Sequence, residues 1–125
     1  MITSAKAHKA RARRLLRNYG ITPEEYDALD KAQGGGCAVC RRPPKKLRHS
    51  VDHDHGSGLV RGILCWRCND LIGKSRDSVE LLFRAVEYLK NPPALKTLGA
   101  RYGVRGRVTL TAAGRRRALR FVRRG

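Results

Sequence analysis

No acidic residue precedes Glu24 and none follows Glu87, so both ends of this 125-residue chain are purely basic. The formal net charge is +18, from 28 lysines and arginines against 10 acids. Lys6, Lys9, Arg11, Arg13, Arg14 and Arg17 crowd the first segment. Arg101, Arg105, Arg107, Arg115, Arg116, Arg117, Arg120, Arg123 and Arg124 crowd the last. Two acid-free ends argue against a merely solubilising surface. They argue for a polyanionic partner, because phosphates neutralised by cationic side chains release condensed counterions. Nucleic acid fits this better than an anionic membrane. Aromatic residues are also scarce, at 6%. A chain of this size makes one compact domain plus extensions, and a thin core invites a metal as staple. Long apolar runs are missing: nothing approaches the roughly 18–20 residues that span a bilayer, and no apolar leader core follows the basic N-terminus. An intracellular setting is therefore expected, where thiols stay reduced and four cysteines favour metal over disulfides. No internal repeat is present.

Local signals divide the chain. A helix is predicted from about Ser4 to Asn18, closed by Gly20. It has little apolar surface beyond Leu15 and Leu16, and reads either as an element docked on DNA or a partner subunit, or as a frayed tail. Thr22, Pro23 and Glu25 form a capping box with proline in the first turn, starting a helix that runs to about Gln33 and stops at Gly34-Gly35-Gly36. Its Tyr26 and Leu29 are expected to pack on the central module. Asp77 and Glu80 read as a further cap, before an amphipathic helix marked by Val79, Leu82, Phe83, Val86 and Leu89 that ends near Asn91. That stripe is most simply core, with a dimer face as the alternative. Ala94 to Tyr102 looks helical and closes at Gly103. Thr111 is placed to cap a last helix carrying Arg115 to Arg124, with Leu119 and Val122 as its apolar positions. The tail reads as a DNA-binding arm, set against a disordered basic tail.

Cys37-Ala-Val-Cys40 and Cys65-Trp-Arg-Cys68 are two pairs with knuckle spacing. Two intervening residues let both thiolates face one tetrahedral ion, and two pairs supply the four ligands of a closed zinc site. The 24 residues from Arg41 to Leu64 slightly exceed the usual ribbon spacing, so something is inserted between the knuckles. Structural zinc is preferred over two disulfides or an iron–sulfur cluster. Four thiolates close the coordination sphere, so this ion holds the chain together and does no catalysis.

The insertion carries Val51-Asp52-His53-Asp54-His55-Gly56. A short strand ending near Asp52, a turn at Gly56-Ser57-Gly58 and a returning strand Leu59–Leu64 make a hairpin. A helix from about Trp66 to Ile72 follows, with Asn69 directly after the last cysteine. Phosphodiester hydrolysis needs a nucleophilic water and relief of charge on the phosphate and the departing oxygen. A neutral imidazole can accept the water's proton near pH 7. Magnesium prefers oxygen ligands and keeps several waters, so the Asp52 carboxylate and the Asn69 amide suffice to hold it. In a flat strand His53 and His55 share one face and Asp52 the other, so the strand must end or bulge at this point.

Asp52-His53-Asp54-His55, the run Val60-Arg61-Gly62-Ile63-Leu64-Cys65, and Cys65-Trp66-Arg67-Cys68-Asn69 resemble phage recombination endonuclease VII, one of the His-Me finger (HNH-type, ββα-metal) nucleases. Tyr19-Gly20-Ile21-Thr22 and Gln33-Gly34 are similar to its relatives as well. The likeness runs from about Tyr19 to Leu89. It implies zinc at Cys37, Cys40, Cys65 and Cys68, magnesium or manganese on Asp52 and Asn69, a general base at His53, and His55 on the phosphate. The opposite assignment of the two imidazoles stays open. It also implies cleavage of branched DNA, including four-way junctions, by a homodimer with two active sites. Arg61 and Arg67, with Arg115, Arg116, Arg117 and Arg120 of the tail, are candidate DNA contacts. His49 is read as a surface residue, and His8 has no role assigned.

The expected fold is therefore a small α+β protein, a zinc-stapled ββα-metal core flanked by helices and basic extensions. Residues 1–20 would be a basic helix or arm, 21–91 the nuclease domain and 92–125 an arginine-rich DNA-binding arm. Two other functions compete. A nicking or weakly specific duplex nuclease of the HNH type shares every active-site residue. A non-enzymatic zinc module that binds nucleic acid explains the charge and the cysteines, but not the Asp-His pair with Asn69.

Overall fold

The computed structural model describes residues 3–102. The expected last helix, from Thr111, lies outside them, as do Arg115, Arg116, Arg117 and Arg120. The chain forms two compact units that divide between Asp77 and Ser78.

The first unit opens with α1 (Ser4–Tyr19). Thr3 caps it by accepting from the Lys6 amide, and Gly20 ends it in the left-handed conformation at φ 68°. Leu15 is buried whereas Leu16 is 62% exposed. Through Leu15 and Tyr19 the helix belongs to the unit's own core, so it is neither a frayed tail nor an element waiting for a partner. Helix α2 (Pro23–Ala32) carries both bonds of the expected capping box, from the Thr22 amide to Glu25 at 2.8 Å and from the Glu25 amide to Thr22 at 3.1 Å. Its buried Tyr26 receives the Arg11 guanidinium over its ring at 4.9 Å, which ties α1 to α2.

Strands β1 (Ser50–His53) and β2 (Val60–Leu64) form the expected antiparallel hairpin. Asp52 pairs with Gly62 but His53 pairs with Val60, so the register shifts by one residue between them. The bulge that the Asp-His-Asp-His string required is present. The extra residue sits on the opposite strand, at Arg61, and β1 ends at His53.

Strand β2 joins two small cores. Ile63 faces a cluster with Leu15, Tyr26 and Val51, supported by Tyr19, Ile21, Leu29 and Val60. Its neighbour Leu64 faces the other way, onto Cys37 and Cys68 with Cys65 and Ile72 around them. Burying an aliphatic side chain contributes about 1.5–3 kcal/mol, so clusters of this size leave much for the cysteines to do. Helix α3 (Trp66–Lys74) starts at the second knuckle and packs against both strands.

In the second unit, α4 (Val79–Lys90) is capped by Ser78, whose Oγ accepts from the Leu81 amide at 3.1 Å. The expected cap, Asp77, has φ 58° and is engaged elsewhere. No residue of α4 is buried, so its apolar stripe is not core. Helix α5 (Pro93–Leu98) ends at Gly99 with φ 69°, short of the expected Tyr102. None of the described helices is long and apolar enough to cross a membrane.

Candidate functional site

Four sulfurs set the frame. The Sγ atoms of Cys37, Cys40, Cys65 and Cys68 all lie within 4.8 Å of one another, and all four cysteines are free. Cys40 and Cys65 sit 3.8 Å apart, far beyond a disulfide. Zn–S bonds of about 2.3 Å would separate tetrahedral sulfurs by about 3.8 Å, so the cluster is sized for one such ion.

Local backbone makes the knuckles. The Cys37 amide donates to Arg42 O and the Arg41 amide to Cys37 O, with Arg41 held left-handed at φ 64°. At Gly36, an added Cβ would strike the Arg41 carbonyl, so only glycine fits. His49, half-buried, also closes this loop: its Nε2 lies 2.9 Å from Arg42 O, and its carbonyl accepts from the Tyr26 hydroxyl at 2.6 Å. In α3, the Cys65 sulfur caps the helix by accepting from the Cys68 amide at 3.5 Å.

The thiols are unequal. Burial alone would raise Cys37, but the backbone amides of Cys65, Cys40 and Val39, helped by the Cys68 thiol, bring it down to about 6. Cys68 is pushed up to about 12, first by burial and then by hydrogen bonding to Cys65, Cys37 and Cys40. Four sulfurs this close need a cation to balance them if they are to be thiolates together.

The hairpin places the second group. Asp52 is buried, with 6% of its surface exposed. Arg61 grips it twice, Nε to Oδ2 at 2.7 Å and Nη2 to Oδ1 at 3.2 Å. The same Nη2 reaches Asp77 Oδ1 at 3.0 Å. Hydrogen bonds to these two carboxylates, Asp52 first, raise the Arg61 pKa, so its cation is permanent. An ionised carboxylate has about four acceptor positions. Arg61 occupies two at Asp52, leaving oxygen lone pairs for another partner. A carboxylate such as Asp52 and a side-chain amide such as Asn69 each offer a hard oxygen, the donor type that magnesium and manganese take.

His53 follows at the end of β1. Its ring lies 5.5 Å from that of Tyr19 and 4.9 Å from that of His55, centroid to centroid. Neither imidazole has a hydrogen-bond partner among the described residues, in contrast to Asp54 between them. Asp54 Oδ1 accepts from the Gly56 amide at 2.9 Å, the Ser57 amide at 2.7 Å and the Ser57 hydroxyl at 3.1 Å. The Ser57 bonds above all hold its carboxyl below the usual carboxylate range. Asp54 therefore builds the turn, and His55 is carried past it towards His53.

Asn69, half-buried, sits in the first turn of α3 with its backbone N–H donating to Cys65 O at 2.9 Å. Arg67, exposed in the same turn, lies with its guanidinium 5.4 Å from the centre of the Trp66 ring. Gln33 is a staple that sequence reasoning missed. Its amide donates to Gly36 O at 3.0 Å and Ile63 O at 2.9 Å, and accepts from the Ile63 amide at 2.8 Å, joining α2 and the first knuckle to β2. Asp77 and Tyr19 were missed as well. Both act across long stretches of sequence, where neither spacing nor composition leaves a mark.

The class is now defined: a small, strongly basic α+β protein in which a cluster of four cysteines, spaced to hold one metal ion, sits beside a histidine-bearing hairpin and the helix that follows it. The family profile of recombination endonuclease VII matches residues 12–91, and the chain belongs to that family. The gene 59 proteins of Mycobacterium phages D29 and L5 are each 51% identical to it over 90 residues, or 70% of this chain. Those residues are 54% and 55% of the two phage proteins, so the chain spans about half the length of the curated relatives it matches. No solved structure is significantly similar.

Proposed function

We propose that this protein is a divalent-metal-dependent DNA endonuclease of the His-Me finger type, acting on branched DNA such as four-way junctions. In this reading the hairpin and α3 are the ββα unit. The observation that carries it is the close pair of imidazoles, His53 and His55, without a hydrogen-bond partner among the described residues, with His53 directly following the carboxylate that Arg61 fixes. Family membership and the charge of +18 support DNA as the substrate.

Each residue has a task. The His53 imidazole accepts a proton from the attacking water, a role that needs a ring nitrogen free of other bonds. Tyr19 packs on the ring and restricts where that nitrogen points. His55 faces the phosphate and helps balance its charge. The Asp52 carboxylate and the Asn69 amide oxygen would hold magnesium or manganese, which when bound neutralises charge on the scissile phosphate and the departing oxygen. Arg61 holds Asp52 in one orientation, which makes it a positioning residue in place of a direct phosphate contact. Zinc at Cys37, Cys40, Cys65 and Cys68 keeps the hairpin and α3 in one piece. A homodimer supplies a second centre for the second strand of a junction, and the arginine-rich tail adds phosphate contacts.

Cleavage of a four-way junction, compared with a linear duplex of the same sequence, tests the proposal. Cutting should require magnesium or manganese and favour the junction. His53→Ala should lower the rate by roughly 10²–10⁴-fold, the usual worth of a general base, with zinc content and DNA binding intact. A wild-type rate in that variant would remove the base from His53. Equal rates on both substrates would leave a nuclease without junction preference.

A further inference from the structure

The chain's one tryptophan, Trp66, is 72% exposed at the start of α3. Tryptophan is highly buried on average, so an indole this open on a small core calls for a reason. Its neighbours supply one. Cys65 and Cys68 bracket it, so anchoring of the knuckle fixes the backbone on which the ring is mounted. The Arg67 guanidinium lies 5.4 Å from the ring centre, within cation–π range, while most of the residue's surface stays exposed. Asn69 stands three residues on along the same helix, and residues so spaced are surface neighbours, about 5–6 Å apart at Cβ. The turn thus carries an exposed aromatic ring, a cation beside it and an amide-bearing residue one helical turn on.

We propose that Trp66, backed by Arg67, is a stacking platform for an unpaired nucleobase of the DNA substrate, and so a determinant of preference for distorted over fully paired DNA. This rests on the nuclease reading, and commits to a base as the occupant of the ring. A base in a paired duplex is stacked on both sides and has no face to give. One at a branch or bulge does. Every nucleobase has a π-face, so the platform selects structure without reading sequence. Arg67 contributes charge to a backbone phosphate as it supports the ring.

The single tryptophan makes the test direct. Full-length zinc-loaded protein, with magnesium omitted, is titrated with two oligonucleotide duplexes that differ only by one bulged thymine, while indole emission is followed. The bulged duplex should quench the emission and the paired duplex should leave it nearly unchanged. Trp66→Ala should weaken binding of the bulged duplex about 5- to 100-fold and of the paired duplex little, by anisotropy of labelled DNA, and Trp66→Phe should recover most of the difference. Unchanged emission on saturated bulged DNA, or equal losses on both duplexes, would overturn the proposal. So would an emission shift that depends on protein concentration without DNA, which would assign the ring to a second copy. Adding magnesium separates the two readings. Quenching without any cleavage sinks the nuclease and keeps the platform, whereas cleavage with a silent indole does the reverse.

Discussion

Arg61 stands at the one place where β2 has a residue to spare, and the bulge lets its side chain serve two carboxylates. Asp52 is buried and takes two hydrogen bonds from Arg61, so losing that partner leaves buried oxygens unmatched. Arg61→Ala should destabilise the fold by about 2–3 kcal/mol, below the range for a fully buried pair because the Arg61 side chain is 29% exposed. Denaturant midpoints measure it. Asp77→Asn keeps the Asp52 pair and removes only the outer brace, so it should lower cleavage far more than stability. Equal effects of the two substitutions on stability would show that the brace is part of the fold. Asp54 behaves differently, since its carboxyl titrates below its ordinary value of 3.8 in the folded chain. Its bonds to Ser57 therefore stabilise fully above that value and are lost as pH falls through the lowered one. The gap in melting temperature between wild type and Asp54→Asn should be open at pH 7 and narrow below pH 3.8.

At the scale of elements, glycine and cysteine decide whether the knuckles close. Gly36→Ala would drive a methyl into the Arg41 carbonyl and force the first knuckle open. Zinc affinity, measured by competition with a chromophoric chelator, should drop at least about tenfold, while a variant that retained it would show that the loop yields freely. Removal of the metal by a strong chelator should loosen the hairpin and α3 together and abolish cleavage. Readdition of magnesium alone should restore nothing. What is legible in the sequence follows locality. The Thr22–Glu25 box, the left-handed Gly20 and both knuckles are short-range devices, written within four residues. The cap of α4 is ambiguous because Asp77 and Ser78 are equally good capping residues, and the choice falls to Arg61, distant in sequence, which draws Asp77 away. The alternation of Asp52 and His53 demands a bulge without locating it on β2, since either strand can supply the extra residue. The Tyr19–His53 contact is invisible in sequence for the same reason as the Gln33 staple: both join segments about 30 residues apart.

For the molecule as a whole, charge and frame divide the labour. Residues 103–125 hold eight arginines, and nothing in the described site needs them. Removing them should weaken DNA binding and flatten its dependence on salt, by about 0.9 in logarithmic slope for each phosphate no longer neutralised, with little change in the single-turnover rate on bound substrate. An unchanged slope would mean that the tail touches no phosphate. The cysteine cluster has a consequence in time as well as in space. Its ligands arrive in two instalments, the second nearly thirty residues after the first, and the final one immediately precedes Asn69. A growing chain therefore brings Asp52, His53 and His55 out of the ribosome before the anchor that aligns them is complete. Until Cys68 has emerged the hairpin has no fixed companion helix, and the proposed hydrolytic apparatus waits for a late step of its own synthesis.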